Sequence, residues 1–241
     1  MNDPLGFIPL DLQALERDAL LREVHPLSSS QEPEVELDGE RYILLASNNY
    51  LGLATDPRVI AGATEAVERW GAGSGSARLI SGGTLLHEEL EHRLAAFKGT
   101  DAALLFSSGY LANLGAISAL VSRGDAIFSD ELNHASIIDG ARLSQATVHV
   151  YRHADVEHLA LLLREYRTAG RRLVVTDTVF SMDGDLAPLP AIVETCEREG
   201  AILMVDEAHA TGVVGPGGRG AVAHFGLEGR VPVVMGTLSK A

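Results

Sequence analysis

The chain has 241 residues, a formal net charge of −14 and 46% hydrophobic residues. Its length suits one large α/β domain with or without an appendage, and its composition is that of an ordinary globular protein. The negative charge argues against a nucleic-acid or membrane partner, although a small anion needs only local basic groups. The single cysteine, Cys196, fits a reducing compartment, and no apolar stretch reaches transmembrane length, so we expect a cytoplasmic protein.

The N-terminal residues predict a helix followed by a hairpin. Leucines recur between charged residues over residues 10–24, which is typical of an amphipathic helix, and the helix should end near Pro26. Residues 34–45, interrupted by Asp38-Gly39, indicate a short hairpin. The pattern changes near Ala46. We therefore predict an N-terminal helix and hairpin segment, 1–45, and one large domain, 46–241.

Within the large domain, a Gly- and Ser-rich loop over 71–83 precedes a helix, and short apolar runs then alternate with helical segments. This alternation favours an α/β fold, with a mainly parallel central sheet and helices on both faces. In open sheets of this kind, ligands bind outside the carboxyl ends of the strands. The predicted strands are 102–106, 126–128, 148–151, 173–175, 201–205 and 231–235, and the predicted helices are 111–121, 136–143, 156–168 and 189–199.

Polar side chains follow most of the predicted strands. They are carried by the segments 107–110, 129–134, 177–181, 206–209 and 237–240. In a parallel sheet these segments would deliver hydroxyls, imidazoles, carboxylates and an amine to one edge. We therefore predict a single site at this edge, with no metal ion in it.

Lys240 and Asp206 indicate the chemistry of this site, because each follows an apolar run. Burial or a neighbouring cation can lower the pKa of a lysine, and the neutral amine can then condense with an aldehyde. A carboxylate at a strand end can keep a pyridine nitrogen protonated. Together the two groups predict pyridoxal phosphate (PLP) as a cofactor. The alternatives are a surface lysine in a loop and an aspartate that caps a helix.

The remaining candidates are weaker when taken singly. Residues 107–110 lie between a strand and a helix, where backbone N–H groups suit a phosphate, but taken alone the segment favours a plain turn with a serine N-cap. His134 could lie over a flat aromatic cofactor and move protons, or could simply cap a helix. His209 could reach the ring hydroxyl and Thr237 the phosphate. Ser181 could bond near the ring oxygen, or belong to a plain turn.

Seven sequence strings, taken together and in order, resemble the α-oxoamine synthases, which are PLP-dependent acyltransferases of the aspartate-aminotransferase fold (fold type I). The resemblance covers nearly the whole chain and implies that 46–241 is a PLP-binding domain. The strings are Ser-Asn-Asn-Tyr-Leu-Gly-Leu (47–53), the loop 73–84, Phe-Ser-Ser-Gly-Tyr-Leu-Ala-Asn (106–113), Asn-His-Ala-Ser-Ile-Ile-Asp-Gly (133–140), Val-Phe-Ser-Met-Asp-Gly-Asp (179–185), Asp-Glu-Ala-His-Ala-Thr-Gly (206–212) and Gly-Thr-Leu-Ser-Lys (236–240).

The resemblance implies a role for each matching residue. Lys240 matches the Schiff-base lysine, Asp206 the partner of the pyridine nitrogen and His134 the stacking imidazole, and these three are the expected catalytic residues. The other implied cofactor contacts are His209 and Ser181 near the ring oxygen, and Ser108, Gly109, Tyr110 and Thr237 around the phosphate. Arg22 and Asn48 are expected to face the substrate.

Within the family, the loop 79–84 and Ser-Ser-Gly-Tyr (107–110) are most similar to the member that joins L-alanine to pimeloyl-coenzyme A, or to pimeloyl-acyl carrier protein, in biotin biosynthesis. Relatives are homodimers, so a homodimer is expected. A sibling synthase that uses glycine or serine and another acyl-coenzyme A remains an alternative. Relatives also continue past the lysine into a C-terminal domain. We therefore expect a fragment or an incomplete sequence, and an inactive truncated chain is the second alternative.

Overall fold

A computed structural model describes residues 3–241 of the chain, so the first two residues of the predicted N-terminal segment lie outside the described residues. The chain forms two compact units that divide between Ser47 and Asn48. The boundary predicted from the sequence lies two residues earlier, between 45 and 46. No helix among residues 3–241 is both long and apolar enough to cross a bilayer.

The first unit contains helix α1 (Ile8–Arg17) and the antiparallel strands β1 (Glu34–Leu37) and β2 (Glu40–Ile43). The hairpin was predicted correctly, and Asp38 and Gly39 form its turn with φ values of 53° and 79°. The prediction that the first helix reaches residue 24 is wrong. The helix ends at Arg17 because Ala19 adopts a left-handed φ of 55°, which interrupts the helical hydrogen bonds.

The second unit alternates helices and strands after an opening pair of helices. Of these, α2 was not predicted, although Asp56 as N-cap followed by Pro57 is a recognisable helix start. The elements are α2 (Pro57–Trp70), α3 (Leu85–Lys98), α4 (Gly109–Leu120), β3 (Ala126–Asp130), α5 (Ala135–Ser144), β4 (Thr147–Tyr151), α6 (Val156–Glu165), β5 (Arg172–Asp177), α7 (Leu189–Glu199), β6 (Ile202–Asp206), α8 (Ala221–His224) and β7 (Val233–Met235).

Five strands of this unit form one sheet in the order β4-β3-β5-β6-β7, and every neighbouring pair is parallel. Successive residues of β5 point to opposite faces, as the period of a strand requires. Val174 packs in a buried cluster with Leu159 of α6 and Ile192 of α7. Leu173 packs in a second cluster with Ile117 of α4 and Ile137 of α5. The predicted parallel sheet with helices on both faces is confirmed.

The predicted strand 102–106 is not a strand in the structure. Backbone groups in this segment bond to side chains instead of to a neighbouring strand. The Leu105 N–H donates to Glu91 Oε1 at 2.8 Å, and Arg78 Nη1 donates to the Leu105 carbonyl at 3.4 Å. An apolar run therefore indicated burial or pairing that this segment does not have, and Leu104 is 69% exposed.

The strand register brings acidic residues together at one edge of the sheet. Asp130, Asp177 and Asp206 are the last residues of β3, β5 and β6, and Asp177 lies directly beside Asp206 in the register. All three side chains are buried. Because parallel strands end at the same edge, the carboxyl end of the sheet carries these carboxylates, as the sequence pattern predicts.

Candidate active site

A cavity of about 240 Å³ opens at the carboxyl edge of the sheet. Every residue proposed as a cofactor contact from the sequence lies in its wall, although the role of each remains a prediction. The side chains come from the ends of β6 and β7, the starts of α4 and α5, and the loop after β5. The wall consists of Ser108, Gly109, Tyr110, His134, Ser136, Asp177, Ser181, Asp206, Ala208, His209, Met235, Thr237, Ser239 and Lys240.

Lys240 reaches the cavity from a tight turn after β7. The Ser239 N–H donates to Thr237 Oγ1 at 3.2 Å, and the two hydroxyl oxygens are 2.7 Å apart, which closes the turn. The amine nitrogen lies 2.8 Å from His209 Nε2. Burial lowers the pKa of Lys240, although the nearby Asp206 and Asp177 act in the opposite direction. A lowered pKa increases the fraction of neutral, nucleophilic amine.

Asp206 is held firmly at the end of β6. Its Oδ1 accepts the Ala208 N–H at 2.8 Å, and its Oδ2 accepts a hydrogen bond from Asn113 Nδ2 at 2.8 Å. The neighbouring Asp177 accepts the His134 backbone N–H at 2.8 Å. Burial and the charge of Asp206 raise the pKa of Asp177 to about 7, so part of the Asp177 population is protonated at neutral pH.

His134 caps helix α5 and also lines the cavity. Its Nδ1 accepts the Ser136 N–H at 3.2 Å and lies 2.7 Å from Ser136 Oγ. The helix-capping interpretation of His134 is therefore correct. Capping and a cavity position are compatible, because the cap occupies one ring nitrogen and leaves the remainder of the imidazole free to face a ligand.

The N-terminus of α4 forms another wall of the cavity. Ser108 is the N-cap and accepts the Leu111 N–H at 3.2 Å, so the capping interpretation of this residue is also correct. A Cβ placed on Gly109 would lie 3.7 Å from Thr237 Cβ, which shows how closely the two segments approach. The first N–H groups of a helix lack intrahelical acceptors, so Gly109 and Tyr110 present donors that suit an anion.

A hydrogen-bonded chain leads from Lys240 towards Asn48. His209 Nδ1 lies 2.7 Å from the Tyr50 hydroxyl, and that hydroxyl donates to Asn48 Oδ1 at 3.0 Å. Tyr50 was not singled out from the sequence, although it stands in the string 47–53. Burial, and then the Lys240 charge, lower the pKa of His209, which favours the neutral imidazole. Arg22 is exposed in the first compact unit, and its predicted substrate contact stays a prediction.

Sequence reasoning also overlooked Asn113 and Ser136. Asn113 is fully buried in α4, a helix whose other residues are mostly apolar, and it donates both to Ser136 Oγ and to Asp206 Oδ2 at 2.8 Å. The detectable signal was an amide in an apolar helix, because a buried polar group needs a partner.

The other acid at the end of β6 belongs to a different arrangement. Glu207 is fully buried and forms an ion pair with Lys98 of α3. Lys98 Nζ also donates to Thr211 Oγ1 and to the Arg219 carbonyl, both at 2.9 Å. The second carboxylate oxygen of Glu207 accepts the Val222 N–H at 2.8 Å. This cluster ties α3, β6 and the loop before α8 together, and it does not line the cavity.

Known proteins share both the sequence and the fold. The family model described as aminotransferase class I and II matches residues 40–241. The 8-amino-7-oxononanoate synthase of Symbiobacterium thermophilum is 54% identical over 98% of this chain and 60% of its own length. The synthase of the same name from Anaeromyxobacter sp. is 56% identical over 99% of this chain and 60% of its own. Among solved structures, a serine palmitoyltransferase from S. paucimobilis with a bound PLP–myriocin aldimine has a TM-score of 0.90 and 38% identity over 99% of this chain and 61% of that one.

The chain spans about 60% of the length of the curated relatives that it matches. The resemblance to the α-oxoamine synthases that the motifs indicated is confirmed by these matches. The predicted aspartate-aminotransferase-like fold class is confirmed as well. The chain therefore belongs to the aminotransferase class I and II family.

Proposed function

We propose that this chain forms the PLP-binding part of an enzyme that condenses L-alanine with pimeloyl-coenzyme A, or with pimeloyl-acyl carrier protein, and releases carbon dioxide. The products would be 8-amino-7-oxononanoate and the free thiol carrier, as in biotin biosynthesis. The observation that carries this proposal is one cavity that joins a lysine amine, a buried carboxylate, an imidazole and a helix N-terminus. The names of the relatives, at 54% and 56% identity, support the choice of substrates.

The residues of the cavity fit PLP by their chemistry. The half-buried Lys240 amine with its lowered pKa suits a bond to the cofactor aldehyde. Asp206 is an acceptor for a protonated ring nitrogen, and the Ala208 N–H and the Asn113 amide hold it in place. The start of α4 suits a phosphate, with Thr237 adjacent. When bound, PLP supplies an electron-accepting ring that stabilises the negative charge left after a bond to Cα breaks.

The reaction assigns proton-transfer roles to two side chains of this chain. Lys240 is the base for the Cα proton of alanine, and its lowered pKa increases the fraction of neutral amine. His134 faces the same cavity and can hold or return a proton at its exposed ring nitrogen. A carboxylate at the position of Asp206 would favour protonation of a ring nitrogen bound beside it. The alanine Cα would then form a bond to the thioester carbonyl carbon and the thiol would leave, after which the carboxylate would depart as carbon dioxide and Cα would take up a proton.

Serine is the competing amino acid substrate, because the matching solved structure is a serine palmitoyltransferase with a TM-score of 0.90. A panel of alanine, glycine and serine against short and long acyl-coenzyme A thioesters, scored by release of free coenzyme A, separates the two possibilities. Turnover with alanine and the pimeloyl thioester supports the proposal. A preference for serine and a long-chain thioester would replace it with the sibling activity.

The cofactor assignment has its own experiment. The protein is incubated with PLP, reduced with borohydride and mapped by peptide mass. We expect the pyridoxyl group on Lys240. The absence of an adduct from that peptide would contradict the proposed function before any substrate is tested. We further propose that the protein is cytoplasmic and forms a homodimer. Size-exclusion chromatography with light scattering on the intact protein tests the dimer.

A further inference from the structure

A chain of hydrogen bonds connects Asp206 to His134, both of which line the cavity. Asn113 Nδ2 donates to Asp206 Oδ2 and to Ser136 Oγ, each at 2.8 Å. Ser136 Oγ in turn lies 2.7 Å from His134 Nδ1. Asn113 and Ser136 are 0% and 1% exposed, so water does not compete for the two bonds of Asn113, whereas the bond to His134 is part-buried. A carboxylate on one wall is thereby connected to an imidazole on another.

The direction of each bond in this chain follows from the chemistry of its ends. A carboxylate oxygen only accepts, so Asn113 must turn its NH₂ group towards Asp206. The second hydrogen of that NH₂ group then points to Ser136 Oγ, which accepts it. A hydroxyl oxygen can accept two hydrogen bonds, so the bond from Asn113 does not by itself settle the direction of the bond to His134. The Ser136 backbone N–H settles it, because it donates to His134 Nδ1 at 3.2 Å and makes this nitrogen an acceptor, to which the Ser136 hydroxyl then donates its hydrogen.

This orientation of the Asn113 amide costs free energy. Its Oδ1 is buried and has no hydrogen-bond partner within residues 3–241. Such an unsatisfied acceptor is unfavourable. The reverse orientation would place the amide oxygen against the Asp206 carboxylate, which is worse because both groups only accept. The charge of Asp206 therefore determines the orientation of the Asn113 amide, even though the amide oxygen is left without a hydrogen bond.

We propose that Asn113 and Ser136 are positioning residues that fix His134 as the neutral tautomer with its proton on Nε2 and hold Asp206 in place. This role rests on the proposed function, because it matters for catalysis only if the cavity holds PLP. The chain makes Nδ1 an acceptor of two hydrogen bonds, so His134 can exchange a proton with the cavity only through Nε2. It also means that Asp206, the proposed partner of the PLP ring nitrogen, and His134, on another part of the cavity wall, belong to one hydrogen-bond network.

The test measures the tautomer directly, by long-range ¹H–¹⁵N correlation of ¹⁵N-histidine-labelled protein at mildly alkaline pH, with His134→Gln to assign the signals. In the unmodified protein we expect an Nε2–H imidazole with an unprotonated Nδ1. In Asn113→Leu the Ser136 hydroxyl is free to accept instead of donate, so a fraction with the proton on Nδ1 should appear. Ser136→Ala removes one of the two hydrogen bonds donated to Nδ1 and keeps the backbone N–H, so it should weaken the preference for the proton on Nε2 less than Asn113→Leu does, and it serves if Asn113→Leu does not fold.

Affinity for PLP gives a second readout. We expect about tenfold weaker binding in Asn113→Leu, since a hydrogen bond to a charged group is lost. Ser118→Ala is the matched control, because Ser118 lies on the exposed side of α4 and bonds to the Leu114 carbonyl of its own helix at 2.6 Å. It should leave both the tautomer and the affinity unchanged.

The outcomes separate the two proposals. A proton on Nδ1 in the unmodified protein overturns the positioning role. Variants that keep both the wild-type tautomer and the wild-type PLP affinity overturn it too, since the backbone N–H alone would then suffice. If the tautomer behaves as expected but no PLP binds at Lys240, the hydrogen-bond chain is right and the proposed function is wrong.

Discussion

The sequence contains two lysines, Lys98 and Lys240, and the structure uses them in opposite ways. Lys98 is paired with the buried Glu207 and also donates to Thr211 Oγ1 and to the Arg219 carbonyl, so its three hydrogens are all used. Among residues 3–241, Lys240 has a single hydrogen-bond partner, His209 Nε2. The Lys98 ammonium, whose hydrogens are all bonded, stabilises the fold. The half-buried Lys240 amine, with its lowered pKa, is available for chemistry.

The acids next to these lysines differ in the same way. Asp206 is the last residue of β6 and Glu207 follows it directly, yet the two side chains point to different parts of the fold. Asp206 faces the cavity, and Glu207 faces α3 and the start of α8. Burial of both acids is nearly complete, so exposure alone does not distinguish them. Each carboxylate accepts two hydrogen bonds. The difference is that one donor to Glu207 is a cation, Lys98, whereas both donors to Asp206, the Ala208 N–H and the Asn113 amide, are neutral.

The largest expected effect is that of Lys240→Ala. Turnover should be abolished, and borohydride should no longer fix a pyridoxyl group in the peptide that contains residue 240, because the amine is gone. Peptide mass mapping checks this result. Lys98→Met should keep the adduct on Lys240. An adduct on Lys98 in the unmodified protein would reverse the comparison, since Lys98 would then be the reactive amine.

Asp206→Asn should slow the exchange of the alanine Cα proton with solvent deuterium by about a hundredfold or more, while PLP remains bound. The neutral amide cannot hold the proton on the ring nitrogen as a carboxylate does. Mass spectrometry of alanine measures the exchange, and absorbance follows the cofactor. Glu207→Gln is the matched control and should leave the exchange rate intact in the folded protein. An unchanged rate in Asp206→Asn would remove the assigned role of Asp206.

For Lys98→Met we expect a loss of about 3–5 kcal/mol in the free energy of unfolding, because Glu207 is left as an uncompensated buried charge. Urea denaturation measures it. Lys240→Met should change stability far less, since its burial is only partial and its amine has one partner. The double variant with Glu207→Gln should recover part of the loss. Equal losses of unfolding free energy in Lys98→Met and Lys240→Met would contradict the idea that only Lys98 stabilises the fold.

The last prediction concerns how stability depends on pH. The pKa of Asp177 is raised from 3.8 to about 7, so between these values the folded state holds a proton that the unfolded state has released. The contribution of Asp177 to stability therefore falls as pH rises through this window and is constant above it. Asp177→Asn should remove that decline, and urea titrations across the window compare the two proteins. Parallel curves would mean that Asp177 ionises normally in the folded state.

Much of the large unit was predictable because the burial of parallel strands leaves long apolar runs and places polar residues at their ends. The strands that contain Phe128, Val174 and Leu203 were found in this way, and the polar ends of their segments indicated one cavity. The helix 189–199 was predicted at its exact bounds. The family resemblance added roles for individual residues, which periodicity alone does not give.

The rest depended on contacts between residues that are distant in sequence. The run 102–106 is as apolar as a strand, yet its Leu105 backbone bonds to Glu91 and Arg78, which no local pattern reveals. The first helix ends early because of a single left-handed residue, Ala19. Asn113 was missed because its partner, Asp206, is brought to it only by the packing of α4 against the sheet.

Helix α4 also sets a length. Its first residue, Gly109, lies in the cavity wall at the proposed phosphate contact, and Asn113, which bonds to Asp206, lies four residues further along. At 1.5 Å per residue these positions are about 6 Å apart along the axis, slightly more than one turn. The helix therefore fixes the spacing between Gly109 and Asn113, and with it the distance between an anionic ligand group held at Gly109 and a basic ligand nitrogen held at Asp206. Insertion of one residue between the two positions would rotate Asn113 away from Asp206 and lengthen this spacing at the same time.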